Sequence, residues 1–157
     1  MNIVDPIRDK DDIKAMKEYL REWNERNYLL FLFGINSGLR VGDILRIRVK
    51  DVQGWHIKIK EQKTGKQKQI KMTKTLKKEV REYIKDMPLH YYLFQSRIGK
   101  NKPLDRRTVD WILKTAALEC GIENIGTHSM RKTFGYHYYK KYKDVAMLMD
   151  LFNHSSP

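Results

Sequence analysis

Residues 55–72 contain two alternating runs, Trp55-His56-Ile57-Lys58-Ile59-Lys60 and Lys68-Gln69-Ile70-Lys71-Met72, on either side of Lys63-Thr64-Gly65-Lys66. Apolar side chains at every second position have the period of a strand with one buried face. Thr64-Gly65-Lys66 supplies the turn chemistry between them. The stretch predicts a β-hairpin with one apolar face and one lysine-rich face. The rest of the chain shows the longer period of helices or the composition of connections. The expected fold class is mainly α with one small antiparallel hairpin, an α+β domain.

On the N-terminal side, Asp9, Asp11 and Asp12 offer caps to a helix with Ile13, Met16, Leu20 and Trp23 on one face. Tyr28 to Phe33 is apolar almost all round, which predicts a central helix, and Gly38 breaks it. A short helix with Ile44 and Leu45 follows. Beyond the hairpin, Thr73 or Thr75 can cap a helix with Leu76, Val80, Tyr83 and Ile84 inward, ending before Pro88. Asp105 caps another through Val109, Ile112, Leu113 and Ala116 to a stop near Gly121. The last third predicts a helix from about Ser129 to Lys140 and a shorter one from Asp144 to Phe152.

The chain has 157 residues without internal repeat or low-complexity stretch, which suits one domain with a core of real size. Lys and Arg number 32 against 19 Asp and Glu, a net charge of +13. Such an excess points to a polyanionic partner, most simply nucleic acid, with an anionic membrane surface as the competing reading. No stretch has the uncharged apolar length of a spanning helix, and the N-terminus lacks the pattern of a signal peptide. The single cysteine, Cys120, has no internal disulfide partner, so a reduced cytoplasmic protein is expected, with Cys120 as a small buried apolar residue.

Four short patterns could carry chemistry. Ser37-Gly38-Leu39-Arg40 places an arginine directly after a helix-breaking glycine, where a rigid turn can aim a guanidinium; taken alone, a solvated arginine at a helix start is the commoner case. Lys63 at the hairpin tip can approach a phosphate, although any hairpin needs a polar turn. Lys58, Lys60, Lys66, Lys68 and Lys71 accompany it, more than one solvated face requires, and suggest a surface that follows a DNA backbone. His128 and Arg131 share a helix face at i and i+3, one able to exchange protons near neutral pH and the other to bind an oxyanion bidentately. Alone, such a pair is usually just surface. Leu151-Phe152-Asn153-His154 by itself shows only an apolar helix ending near a histidine. Arg106, Arg107 and Lys132 join Lys60, Lys66 and Lys68 as candidate DNA-binding residues.

The order of these patterns resembles the catalytic domain of the tyrosine recombinases, the family of phage integrases and chromosome-dimer resolvases. The likeness covers nearly the whole chain. It is most specific at Ser37-Gly38-Leu39-Arg40 with Asp43 and Leu45, and at His128-Ser129-Met130-Arg131-Lys132-Thr133-Phe134. The family usually has Glu at the position of Asp43 and Gly at that of Asn153. Its nucleophilic tyrosine falls beyond Pro157, and none of Tyr136, Tyr138, Tyr139 and Tyr142 matches that position. The expectation is a single catalytic domain over residues 1–157 that lacks the tyrosine segment and an N-terminal core-binding domain, and is inactive by itself.

The resemblance implies a catalytic set of Arg40, Lys63, His128, Arg131 and His154, acting on double-stranded DNA within a homotetramer of the full-length protein. In-line attack on a phosphodiester builds charge on the non-bridging oxygens, and two guanidiniums answer that charge. The implied role of Lys63 is to protonate the leaving 5′-oxygen; those of His128 and His154 are proton transfer and a phosphate hydrogen bond. A 3′-phosphotyrosyl bond stores the energy for rejoining, so no ATP is implied. No carboxylate pair or Cys/His cluster suggests a metal, and no cofactor is expected. A non-enzymatic DNA-binding accessory or regulatory protein is the alternative, but simple phosphate binding would not require the histidines. A type IB topoisomerase is disfavoured by the short length, and a membrane-surface protein by apolar faces that suit a packed core.

Overall fold

The computed structural model describes residues 3–143 together with Val145, Ala146 and Met149. Two long helices come first, α1 over Lys10–Trp23 and α2 over Glu25–Ser37. Asp9 caps α1, its carboxylate accepting from the Asp11 N–H, and Asn24 both ends α1 and caps α2. Of the stripe on α1, Met16 and Leu20 are buried, while Trp23 stays partly exposed and meets the edge of Trp111. The centre of the domain is α2: Tyr28 through Phe33 are all buried, as the near-continuous apolar run requires. Phe33 packs edge-to-face on Phe94.

Gly38 stops α2 in a left-handed conformation, and the four-residue α3 (Val41–Ile44) follows. A 3-10 turn at Val49–Val52 leads into the hairpin, β1 (His56–Lys60) and β2 (Gln67–Lys71). The strands pair antiparallel with Ile57 opposite Ile70 and Ile59 opposite Lys68. Opposed residues share a face, so the inner face carries Ile57, Ile59, Ile70 and also Lys68, whereas Lys58 and Lys60 lie on the outer face. Lys77 holds the base of the hairpin: its buried ammonium donates to the carbonyls of Val52, Gln53 and Gly54 at 3.3, 3.0 and 2.6 Å. Burial, with a smaller contribution from Arg81, lowers its pKa.

Three further helices follow: α4 (Lys74–Ile84) capped by Thr73, α5 (Arg106–Glu119) capped by Asp105, and α6 (His128–Tyr142). Cys120 closes α5, half-buried against the core, with its thiol pKa pushed up by burial and by Asp12 and Glu119. The expected short helix from Asp144 to Phe152 falls largely outside the described residues. The expected α+β class is what the chain adopts, and no described helix is long and apolar enough to cross a membrane.

Candidate active site

The site begins with the seating of α6 on α2. A Cβ on Gly34 would lie 2.4 Å from the Met130 sulfur, and one on Gly38 would lie 2.4 Å from the Phe134 ring. Gly34 and Gly38 are one helical turn apart, as are Met130 and Phe134, so two glycines form a notch that receives two large side chains. Gly38 is doubly constrained, because its φ of 69° is also one that other residues rarely adopt. The close approach lets Arg131 Nη1 donate to the Gly38 carbonyl at 2.7 Å. Two residues later the chain turns into α3, and the Arg40 carbonyl accepts from the N–H groups of Asp43 and Ile44.

Arg40 points at Glu61, the first residue past β1, with Nη1 and Oε2 3.4 Å apart. Glu61 is 2% exposed. Lys68 reaches the same carboxylate oxygen at 3.9 Å, and the Thr64 hydroxyl donates to the other at 3.0 Å. Glu61 also closes the hairpin loop through its backbone, donating to Lys66 O and accepting from Gly65 N–H, both at 2.8 Å. The neighbouring Gln62 N–H donates to the buried Asp43 carboxylate at 3.0 Å. Residues 61–66 are thus attached at two points, to Arg40 just before α3 and to Asp43 within it, and Lys63 among them is exposed.

Arg131 is half-buried beside this cluster. Burial and the charge of Arg40 push its pKa down to about 10, against the opposing pull of Glu61 and Asp43. His128 sits one turn back on α6. Partial burial of its ring, with Arg106, Lys132 and Arg131 nearby, lowers its pKa, and Asp110 opposes that shift. Arg40, Arg131 and His128 therefore form one electrostatic neighbourhood, to which the Lys63 loop is joined through Glu61. His154 lies outside the described residues.

Lys60, Lys66, Arg106 and Arg107 are exposed. Lys132 is exposed along its stem, but its ammonium donates to Val4 O at 2.8 Å on the N-terminal segment. Lys68 is half-buried and committed to Glu61 rather than standing on the outer face. Sequence reasoning missed Glu61 and Gly34. Glu61 sits at the end of the alternating run Lys58-Ile59-Lys60-Glu61, on the parity of Ile57 and Ile59, so an inward carboxylate was detectable. The role of Gly34 depends on which helix packs against it, and the sequence held no signal of that.

Residues 8–157 match the phage integrase family. The chain is 50% identical over 158 residues to a protein of Bacillus subtilis (strain 168) described as probable integrase/recombinase YoeC, covering 100% of this chain and 87% of that one. Its fold superposes on the crystal structure of XerA recombinase with a TM-score of 0.81 at 20% identity, over 98% of this chain and 58% of the other. It also superposes on a lambda integrase dimer bound to a core site, with a TM-score of 0.78 at 17% identity, over 99% of this chain and 60% of the other. The chain spans less than two thirds of either solved structure. By its family match and its half-identical relative, the chain belongs to the phage integrase family, the tyrosine recombinases.

Proposed function

We propose that this chain is the catalytic domain of a site-specific recombinase that cuts and rejoins duplex DNA through a 3′-phosphotyrosyl intermediate. The observation that carries the reading is the pair Arg40 and Arg131, held by one turn, with His128 and the Lys63 loop attached to the same cluster. Two guanidiniums bind the non-bridging oxygens of the scissile phosphate and stabilise the charge that grows there. Lys63 protonates the departing 5′-oxygen; its exposed side chain stands on a loop tied to Arg40 and Asp43 through Glu61 and Gln62. His128, held toward its neutral form, takes the proton from the attacking tyrosine. His154 adds a hydrogen bond to the phosphate, and Lys60, Lys66, Arg106 and Arg107 bind the flanking backbone. The nucleophile is a tyrosine downstream of His154. The full-length protein works in the cytoplasm as a homotetramer on DNA.

A nicked suicide duplex, which traps the cleaved strand on the protein, tests this on a denaturing gel. Protein carrying the downstream tyrosine gives a shifted band that a Tyr→Phe change abolishes; residues 1–157 alone give none. A covalent adduct from residues 1–157 would assign the nucleophile to a tyrosine within them and overturn the assignment.

A further inference from the structure

We infer that the groove between α1 and the far end of α6 is a second DNA-backbone site, separate from the catalytic face. Two adjoining cavities of about 750 and 400 Å³ share Lys10 and His137 at their boundary. Arg8, Lys140 and Lys141 line the first, and Lys14 and Lys17 the second. No described residue lining either is a carboxylate, and none of these six cations forms an ion pair among the described residues. Elsewhere on this surface lysines and arginines do find acids, as Lys114 does with Asp110 and Arg21 with Glu79.

Position separates this groove from the catalytic face. At about 100° and 1.5 Å per residue, Lys140 lies roughly half a turn around α6 from Arg131 and ~13 Å further along it. One phosphate cannot touch both. His137, on the groove side, bonds to the carbonyl of Ile7, with its Nε2 at 2.9 Å, and so fixes the N-terminal segment that brings Arg8 and Lys10 to the groove. Arg8 and Lys140 flank the Tyr136 ring at 5.7 and 5.5 Å, which holds both long side chains in place.

Spacing selects the ligand. Lys10, Lys14 and Lys17 occupy one stripe of α1, with rises of about 6 and 4.5 Å between them. A duplex carries a charge about every 1.7 Å of its axis and faces such a row along its whole length. A protein partner would be expected to bury an aromatic or aliphatic anchor, and the apolar lining is confined to Ile13 and Ile35 in the second cavity. The inference does not depend on the roles proposed for Arg40 or Lys63. In a recombinase, a second site of this kind lets one protomer hold a second stretch of duplex while the catalytic face holds the first.

Sedimentation of the chain with excess short duplex at low salt tests the inference. The native chain is expected to bind two duplexes. The triple variant Lys10→Ala, Lys140→Ala, Lys141→Ala is expected to bind one, with the second event weakened more than tenfold and the salt dependence reduced by roughly 2.7 in log–log slope. The triple variant Lys74→Ala, Lys78→Ala, Lys85→Ala, on α4 and at its C-terminal cap, removes equal charge and is expected to keep two. Two duplexes on the groove variant, or an equal loss in the α4 variant, would overturn the inference. So would displacement of the second duplex by poly-glutamate at matched charge. If Lys60→Ala, Lys66→Ala leaves both events intact while the groove variant loses one, the groove stands and the proposed catalytic face fails.

Discussion

Arg131 donates to the carbonyl oxygen of Gly38 at 2.7 Å, two residues before Arg40, so the two guanidiniums on which the proposed chemistry depends are held by a single turn. Burial depresses the pKa of Arg131, and repulsion from the like charge of Arg40 depresses it further. The buried carboxylates of Glu61 and Asp43 offset it. The site is thus charged and set before DNA arrives, at the expense of a concentrated positive field that a phosphate would relieve.

The first prediction concerns the notch. Gly38→Ala is expected to lower stability by about 2–4 kcal/mol in thermal or denaturant unfolding, combining left-handed strain with overlap against Phe134. Gly65→Ala is the control: its φ is 71°, but nothing lies within 4 Å of its Cβ. It is expected to cost about 1 kcal/mol. Equal losses at the two glycines would show that the α2–α6 contact is not what makes Gly38 special.

Glu61→Gln keeps the shape but removes the charge that faces Arg40 and Lys68. The buried position implies a stability loss of about 1–3 kcal/mol, since two partly solvated cations lose their charged partner. Affinity for duplex DNA at low salt is expected to rise severalfold, because one negative charge leaves the phosphate-binding region. Weaker DNA binding in a folded Glu61→Gln protein would mean that Glu61 aims Arg40 more than it competes for it.

His128 gives a prediction in pH. Burial and the neighbouring cations hold its folded-state pKa below the ordinary 6.5. The unfolded chain then binds more protons across the window between the folded value and 6.5, so stability rises with pH through that window and is level, at its lower value, beneath it. An NMR titration of the ring should place the free protein below 6.5 and move it upward on addition of duplex DNA, as phosphate favours the imidazolium. A free-state value above 6.5 contradicts the electrostatics described.

The hairpin lysines should separate by face. Lys60→Ala and Lys66→Ala are expected to weaken duplex binding severalfold each, reduce its salt slope by about 0.9 each, and leave the melting temperature unchanged. Lys68→Ala is expected to lower the melting temperature, because it removes a partner of a buried carboxylate. Fluorescence anisotropy and calorimetry on the same samples decide the matter; a Lys68→Ala protein with native stability and weakened binding would return Lys68 to the DNA surface.

Much of this was legible in the sequence. Local signals narrowed the helix caps to Asp9, Asp11 or Asp12, to Thr73 or Thr75, and to Asp105, and marked the central apolar α2 and the hairpin, because each rests on residues within a few positions of one another. Arg40, Lys63, His128 and Arg131 were proposed from motif order and the family resemblance; three of them share one electrostatic neighbourhood, to which the loop of the fourth is joined through Glu61. Lys68 was assigned outward by its charge, although alternation with Ile70 and Met72 put it on the inner face; a partner, Glu61, makes that placement tolerable. Glu61 and Gly34 acquire their roles only from elements distant in the chain, which no local pattern encodes.

The Gly34–Gly38 notch also sets a timetable for the protein's own birth. The chain between Arg40 and Arg131 takes roughly 5–20 s to make at about 5–20 residues per second. Through that interval the notch stands open, without Met130 or Phe134 to fill it, and the turn at Gly38 lacks the guanidinium that braces it. Arg40 and the hairpin emerge early, yet the second guanidinium arrives only with the helix that finishes the core. One late helix, α6, therefore both fills the notch and brings the second guanidinium to the first.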